Sequence, residues 1–277
     1  MKEDRPSDTA LGASVIRTIH QLLDDRPPIL DDPVSPKLLP AETVEAIRAN
    51  PDRHRTLHAR ALRSHIVLRS RYAEDRLQEA VRQGVTQFIN VGAGFDTFAF
   101  RQPTWAAELQ IIEVDHPASQ QTKLAHFASR GLSAPANTRF VPLDLEKDNL
   151  HAGLPQNGVD LDRPTHFACL GVLAYLTPTA VRKVFEDATR SPGGSSMVLA
   201  FAPRDSNGRQ SEAAKRAAQH GEPWLSYFTT EEMEDLLKAS GFALVEFLSP
   251  ETAARIYYQG RSDLPSPRKT RMCMATV

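Results

Sequence analysis

Asn90-Val91-Gly92-Ala93-Gly94-Phe95-Asp96-Thr97 follows a short apolar run and carries two glycines one residue apart. Glycines so spaced let a backbone turn sharply and approach a ligand without interference from a Cβ. Three further groups recur at the ends of other apolar runs. Glu113-Val114-Asp115 offers two carboxylates, either able to accept the hydroxyls of a ribose. Asp144-Leu145 sets an acid beside a backbone N–H, the pair that reads the amino group and a ring nitrogen of adenine. Leu170-Gly171-Val172-Leu173-Ala174-Tyr175 adds a flat apolar segment and a tyrosine. Together they predict a crevice for an adenosine.

A dinucleotide fingerprint requires a third glycine for close helix packing, and Thr97 stands at that place, preceded by Asp96. An aspartate beside a pyrophosphate repels it, which disfavours NAD, and no GxxxxGKS/T phosphate loop occurs. A zwitterionic amino-acid tail suits the loop better. Backbone carbonyls and Asp96 would meet its ammonium, while Arg69 or Arg71 would offer a fork to its carboxylate. Two residues apart on a helix, these arginines lie about 200° apart around the axis, so only one can anchor the tail. Arg71 is the expected anchor, because Ile66 and Leu68 put Arg69 nearer a packed flank. S-adenosylmethionine is a cofactor with such a tail.

These groups cooperate only if one scaffold brings them to a common edge. Strand-length apolar runs occur at Gln87–Val91, Gln110–Val114, Arg139–Leu143, His166–Leu170 and Met197–Ala202, with later ones at Leu244–Leu248 and Met272–Val277. The first five are too continuously apolar for half-exposed strands. Helical stretches such as Pro117–Arg130, Pro178–Thr189 and Thr230–Ala239 alternate with the runs. The alternation predicts a doubly wound, Rossmann-like α/β fold with a seven-stranded, mostly parallel sheet. In such a sheet ligands bind beyond the carboxyl ends of the strands. A long helix from Thr56 to Gln83 precedes the first strand, so residues 1–84 are expected as a helical cap contributing to the cofactor site. Residues 85–277 would form the sheet domain, with a lid insertion at about 203–229 after the fifth strand.

Composition narrows the class. Lys and Arg number 33 against 34 Asp and Glu, which excludes a general polyanion binder, and the 41% hydrophobic content suffices for a core. The arginine-rich stretch Arg48–Arg82 reads as a solvated helix face rather than an RNA surface. No apolar run approaches a membrane span or a secretory h-region, and Cys169 and Cys273 sit in apolar runs as buried thiols would. A cytoplasmic protein is expected, with no membrane or nucleic-acid partner. Its nine histidines do not cluster: His54 and His58 share a helix face without a completing carboxylate, so no metal is expected. GxSxG is absent, which disfavours hydrolase chemistry.

The chain resembles the leucine carboxyl methyltransferase-like family of S-adenosylmethionine-dependent O-methyltransferases, in its bacterial small-molecule subgroup. The resemblance rests on Arg69-Ser70-Arg71-Tyr72, the loop from Asn90 to Thr97 with Arg101, Glu113-Val114-Asp115-His116-Pro117, Asp144-Leu145, and Leu170-Gly171-Val172 with Tyr175-Leu176-Thr177. It begins upstream at Ala10–Pro33 and extends through Gly221-Glu222-Pro223-Trp224 to Gly241-Phe242. It implies a class I methyltransferase fold. It also implies that one arginine of the pair binds the methionine carboxylate, Gly92, Ala93 and Gly94 the amino group, Asp115 the ribose, and Asp144-Leu145 the adenine. Leu170 and Phe98 depart from the glutamate and arginine of many members, changes that bear on the substrate more than on the cofactor.

The expected reaction is methyl transfer to a carboxylate or hydroxyl of a small molecule, in secondary metabolism. A carboxylate needs no base; a hydroxyl would, and Tyr175, Tyr227 and His220 are the candidates. Arg101, Arg204, Trp224 and Tyr227 are the substrate-binding candidates. Two other uses of the same site stay open on the sequence: a lyase or cyclase that uses the sulfonium without methyl transfer, and a non-catalytic binding module.

Overall fold

The computed structural model describes residues 8–204, 212–219 and 221–277. Among them run β1 (Gln87–Val91), β2 (Gln110–Asp115), β3 (Thr138–Pro142), β4 (Thr165–Leu170), β5 (Ser196–Ala200), β6 (Leu244–Phe247) and β7 (Met272–Thr276). They form one sheet of order β3-β2-β1-β4-β5-β7-β6. The first five strands are parallel, and β7 runs antiparallel to both β5 and β6. The seven-stranded α/β sheet is the one expected, with strand ends displaced by one or two residues.

Every residue of β1 and β5 is buried, as continuous apolar runs require when helices cover both faces. Successive side chains serve opposite cores. Phe88, Ile111, Ala168 and Val198 pack on one face with Val67, Leu68, Tyr72 and Leu77 of the long helix α3 (Leu57–Arg82). Ile89, Val91, Ile112 and Val114 face the other way, toward α5 (Leu150–Gln156), α6 (Pro178–Ala188) and α8 (Thr230–Ala239). α3 starts where Thr56 Oγ1 accepts the Ala59 N–H and stops before Gly84, whose φ of 95° suits only glycine.

Four helices lie outside the sequence expectation: α2 (Ala41–Ala49), α5, α7 (Glu212–Gln219) and α9 (Pro250–Tyr257). α2 and α9 are only nine and eight residues long, too short a window for an apolar period to stand out. α5 contains Gly153 and Pro155 within seven residues, both poor helix formers. α7 falls in the stretch expected as a lid; residues 205–211 and 220 of that stretch lie outside the described residues.

A buried polar network ties the N-terminal segment to the glycine loop. Asp32, fully buried, pairs with Arg17 of α1 (Asp8–Leu23) at 2.9 Å and accepts the Thr97 hydroxyl at 2.8 Å. Its other oxygen accepts the Val34 and Ser35 N–H groups at 3.2 and 3.0 Å. Arg17 also donates to Phe95 O at 2.6 Å, and Arg101 joins Thr97 to Glu74 of α3. Burial alone would raise the Asp32 carboxyl, but Arg17, Arg101, the Thr97 hydroxyl and the Ser35 N–H hold it below the usual carboxylate range.

Asp32→Asn should therefore destabilise the chain by roughly 3–5 kcal/mol in urea denaturation, because buried Arg17 loses its counter-charge. The carboxylate's contribution is present above the unfolded carboxyl pKa of about 3.9 and is lost as pH falls below it.

His166 on β4 adds to the same acid sensitivity, by being held neutral rather than charged. Its ring stacks on Phe88, Nδ1 lies 2.8 Å from Ser196 Oγ, and burial together with Arg76 pushes its pKa down to about 3. The unfolded chain binds a proton there first, so stability should fall as pH drops from about 6.5 toward 3, by up to about 1.4 kcal/mol per pH unit. Replacing His166 with Asn should flatten that slope in pH-dependent denaturation.

Candidate active site

A cavity of about 860 Å³ opens at the carboxyl ends of the parallel strands. Its floor begins at the switch point, where the chain leaves β1 toward β2 and later returns to β4 on the other side. Gly92 turns there with a φ of 70°, and a Cβ on it would lie 2.5 Å from Val172 Cβ. Loop and fourth-strand segment therefore touch backbone to side chain, which requires glycine. Gly94 donates its N–H to Asp115 Oδ2, and His116 N donates to Oδ1 at 2.7 Å. Both oxygens of Asp115 are thus aimed by backbone, while burial raises its carboxyl against those two hydrogen bonds.

Asp96, Asp115, Asp144, Leu145 and Leu170 all line the cavity with Gly92, Ala93 and Gly94. Asp144 pairs with Lys147 at 3.0 Å, and its Oδ1 accepts the Glu146 N–H at 3.1 Å. Partial burial opposes its charge, but these two partners and His116 keep its carboxyl low. Glu113 does not line the cavity, contrary to expectation. It lies two positions back on β2, fully buried, and is paired with Lys123 of α4 (Pro117–Ser129). Burial raises its carboxyl, with Lys123 opposing.

The arginine pair divides in the reverse of the expected sense. Arg71 is paired with Asp75 at 2.8 Å on the half-exposed side of α3 and is absent from the cavity wall. Arg69 lines the cavity, and its Nε has no hydrogen-bond partner. The expectation failed because the face of α3 at position 69 looks into the cavity rather than into a packed flank. Gly171, with a φ of 79°, leaves room for the guanidinium: a Cβ there would stand 2.7 Å from Arg69 Nη1. Burial and neighbouring Arg17 push Arg69 down to about 10, while Tyr175 and Asp96 work against that shift, so it stays charged at neutral pH.

Three acceptor-side expectations are corrected. Arg101 is buried in the Asp32 network, with Glu74 and Thr97 as partners. Arg204 pairs with Glu232 at 3.0 Å and donates to Tyr227 O at 2.9 Å, outside the cavity. Tyr227 packs against Trp224 with its ring tilted by 48° and does not reach the wall. Trp224 and Tyr175 do line the cavity, and His220 lies outside the described residues. The sequence reading missed His58, Leu62, His65 and Ile66, which continue the Arg69 face of α3 at helical spacing, and Lys269 and Arg271 ahead of β7. Burial and Arg69 push His65 down to about 4, so its imidazole is neutral at pH 7. Extending the Arg69 face back by four and seven residues would have found His65 and Leu62. Nothing local in the sequence singles out Arg271.

The strand order with its antiparallel β7, and a glycine loop at the switch point answered by Asp115, define a class I methyltransferase fold. A crystal structure from Thermobifida fusca YX aligns over 99% of this chain and 96% of its own at a TM-score of 0.58 and 17% identity. One from Streptomyces avermitilis aligns over 94% and 95% at a TM-score of 0.56 and 16% identity. The family model for leucine carboxyl methyltransferase matches residues 10–189, and the chain belongs to that family. A Bacillus subtilis (strain 168) relative, named "Putative S-adenosyl-L-methionine-dependent methyltransferase YktD", is 35% identical over 202 residues, 70% of this chain and 66% of its own length. A Mycobacterium marinum relative named for the same activity is 29% identical over 80% of this chain and 74% of its own. The chain thus spans just under two thirds of the length of the Bacillus relative.

Gly92→Ala forces a left-handed φ on a residue with a Cβ and drives that Cβ into Val172. The substitution should cost about 1–3 kcal/mol from backbone strain alone, read as a lowered urea midpoint. An unchanged midpoint would mean that the loop and Val172 separate without penalty.

Proposed function

We propose that this protein is an S-adenosylmethionine-dependent O-methyltransferase acting on a carboxylate or hydroxyl of a small molecule, within secondary metabolism. The observation that carries the reading is Arg69. A charged guanidinium whose buried Nε lacks a partner lines the same cavity as Asp115 and Asp144. An unmet buried donor is costly, by about 1–3 kcal/mol, and a carboxylate-bearing ligand would satisfy it.

The residues fit that cofactor along its whole length. Arg69 would pair with its carboxylate and Asp96 with its ammonium; Asp115 would accept the ribose hydroxyls, and Asp144 with the Leu145 N–H would hold the adenine. When bound, S-adenosylmethionine supplies a methyl group on a positively charged sulfur. The chain's part is to orient and to exclude water. Ile16, Leu62, Ile66, Val172 and Phe201 give the cavity apolar walls, which strengthen attraction between an anionic acceptor and a cation. Fixing the reactants in contact supplies much of the acceleration. An acceptor carboxylate is ionised at neutral pH and needs no base. For a hydroxyl acceptor, the neutral imidazole of His65 on the wall would take the proton, and Tyr175 on the same wall would hydrogen-bond the hydroxyl.

Arg69→Gln should weaken S-adenosylmethionine binding by ~1.5–3 kcal/mol, one to two powers of ten, as a charged hydrogen bond is lost. It should barely affect methylthioadenosine, which lacks the amino-acid tail, and Arg71→Gln should affect neither ligand. Calorimetry with both ligands on both variants checks this. Equal losses for the two ligands with Arg69→Gln would remove Arg69 from the tail site.

A further inference from the structure

Charge is divided along the cavity. Its carboxylates, Asp96, Asp115, Asp144 and Glu146, all come from the last residue of β2 and the loops after β1 and β3. The wall beyond β5, built by Ala200, Phe201, Ala202, Pro203, Trp224, Lys269 and Arg271, contains no acid among the described residues. Arg271 sits where β7 enters the sheet, its carbonyl accepting the Phe201 N–H at 3.0 Å. From the strand order, five strand spacings separate the β3 end, which carries Asp144, from the β7 end, which carries Arg271. At ~4.8 Å per strand that is about 24 Å. Arg271 therefore cannot share the groups that hold an adenosine.

Its guanidinium is half committed. Nη1 donates to Thr230 Oγ1 at 3.2 Å and to Thr270 O at 3.3 Å. Nε is buried without a partner, and no ion pair to Arg271 occurs among the described residues. The Nε–Nη2 edge is the one that binds carboxylates side-on with two parallel hydrogen bonds. A second buried donor without a partner, Trp224 Nε1, lines the same cavity, and Lys269 adds an exposed cation at its rim.

We infer that Arg271 is the anchor for an anionic group on the acceptor, so that the acceptor is an organic acid with an apolar body. Lys269 draws the acid in, Arg271 holds its carboxylate on the Nε–Nη2 edge, and Trp224 with Phe201 covers the apolar part. Arg271 is a specificity residue rather than a catalytic one. This assignment deepens the methyltransferase reading and rests on it for the word acceptor; the anion site itself does not.

The test uses the full chain with saturating S-adenosylhomocysteine. A benzoate, a phenylpropionate and a medium-chain fatty acid are each titrated against their own primary amide, by calorimetry and tryptophan fluorescence. At least one acid should bind about tenfold tighter than its amide, as expected for a charge-assisted pair. Arg271→Gln should erase that preference while leaving S-adenosylhomocysteine affinity unchanged. Arg271→Lys, which keeps the charge but not the fork, should weaken the acid several-fold and spare the amide; it decides the matter alone if the Gln variant does not fold. No preference for any acid in the wild type, or a preference that survives Arg271→Gln, overturns the inference. Failure of the wild type to bind S-adenosylhomocysteine would sink the methyltransferase reading instead, and the acid–amide pairs measured without it would still judge Arg271.

Discussion

The carboxylate of Asp32 is the constraint on which the rest of the site depends. It is fully buried; Arg17, the Val34 and Ser35 N–H groups and the Thr97 hydroxyl donate to it, and Arg101 stands 3.5 Å away as a second counter-charge. A charge so far from water is tolerable only when paired and fully hydrogen-bonded. Satisfying it therefore fixes where α1, the turn after it and the glycine loop meet. Arg17 is at once a partner of Asp32, a donor to Phe95 O and part of the cavity wall. The N-terminal segment is thus one side of the pocket that the glycine loop begins, and α3 joins the same network through Glu74 and Arg101.

Burial then assigns different tasks to residues of the same type. Arg101 and Arg63 lie inside the protein with carboxylates at hand and serve the scaffold. Arg71 and Arg204 reach solvent and pair there with Asp75 and Glu232. Arg69 and Arg271 keep an unpaired Nε and line the cavity. The carboxylates divide similarly: Glu113 is held by Lys123 inside the sheet flank, whereas Asp115, two residues on, is aimed by two backbone N–H groups at the cavity. An unmet donor that borders a cavity is a different physical object from one met by its own protein, because only the former can gain from a ligand.

Much of the site was legible because it is local. Gly92, Gly94, Asp115, Asp144 and Gly171 sit at strand ends, and a parallel sheet collects strand ends along one edge whatever the details of packing. Of the helices that escaped notice, α2 and α9 are nine and eight residues long, too short for an apolar period to stand out. Arg101 and Arg204 looked available because a sequence does not display the partners that claim them, Glu74 lying 27 residues away and Glu232 lying 28.

What the sequence determined by itself was the sheet, the glycine loop and the acids that follow β2 and β3, since residue type and short-range spacing dictate strand, turn and which groups stand at the strand ends. The tertiary structure alone decided which arginine faces the cavity and that Arg271, 202 positions after Arg69, shares its wall. Such choices depend on how α3 is rotated against β4 and β5 and on β7 entering beside β5. Those rotations and pairings follow from the packing of two cores at once, and no window of the chain contains both.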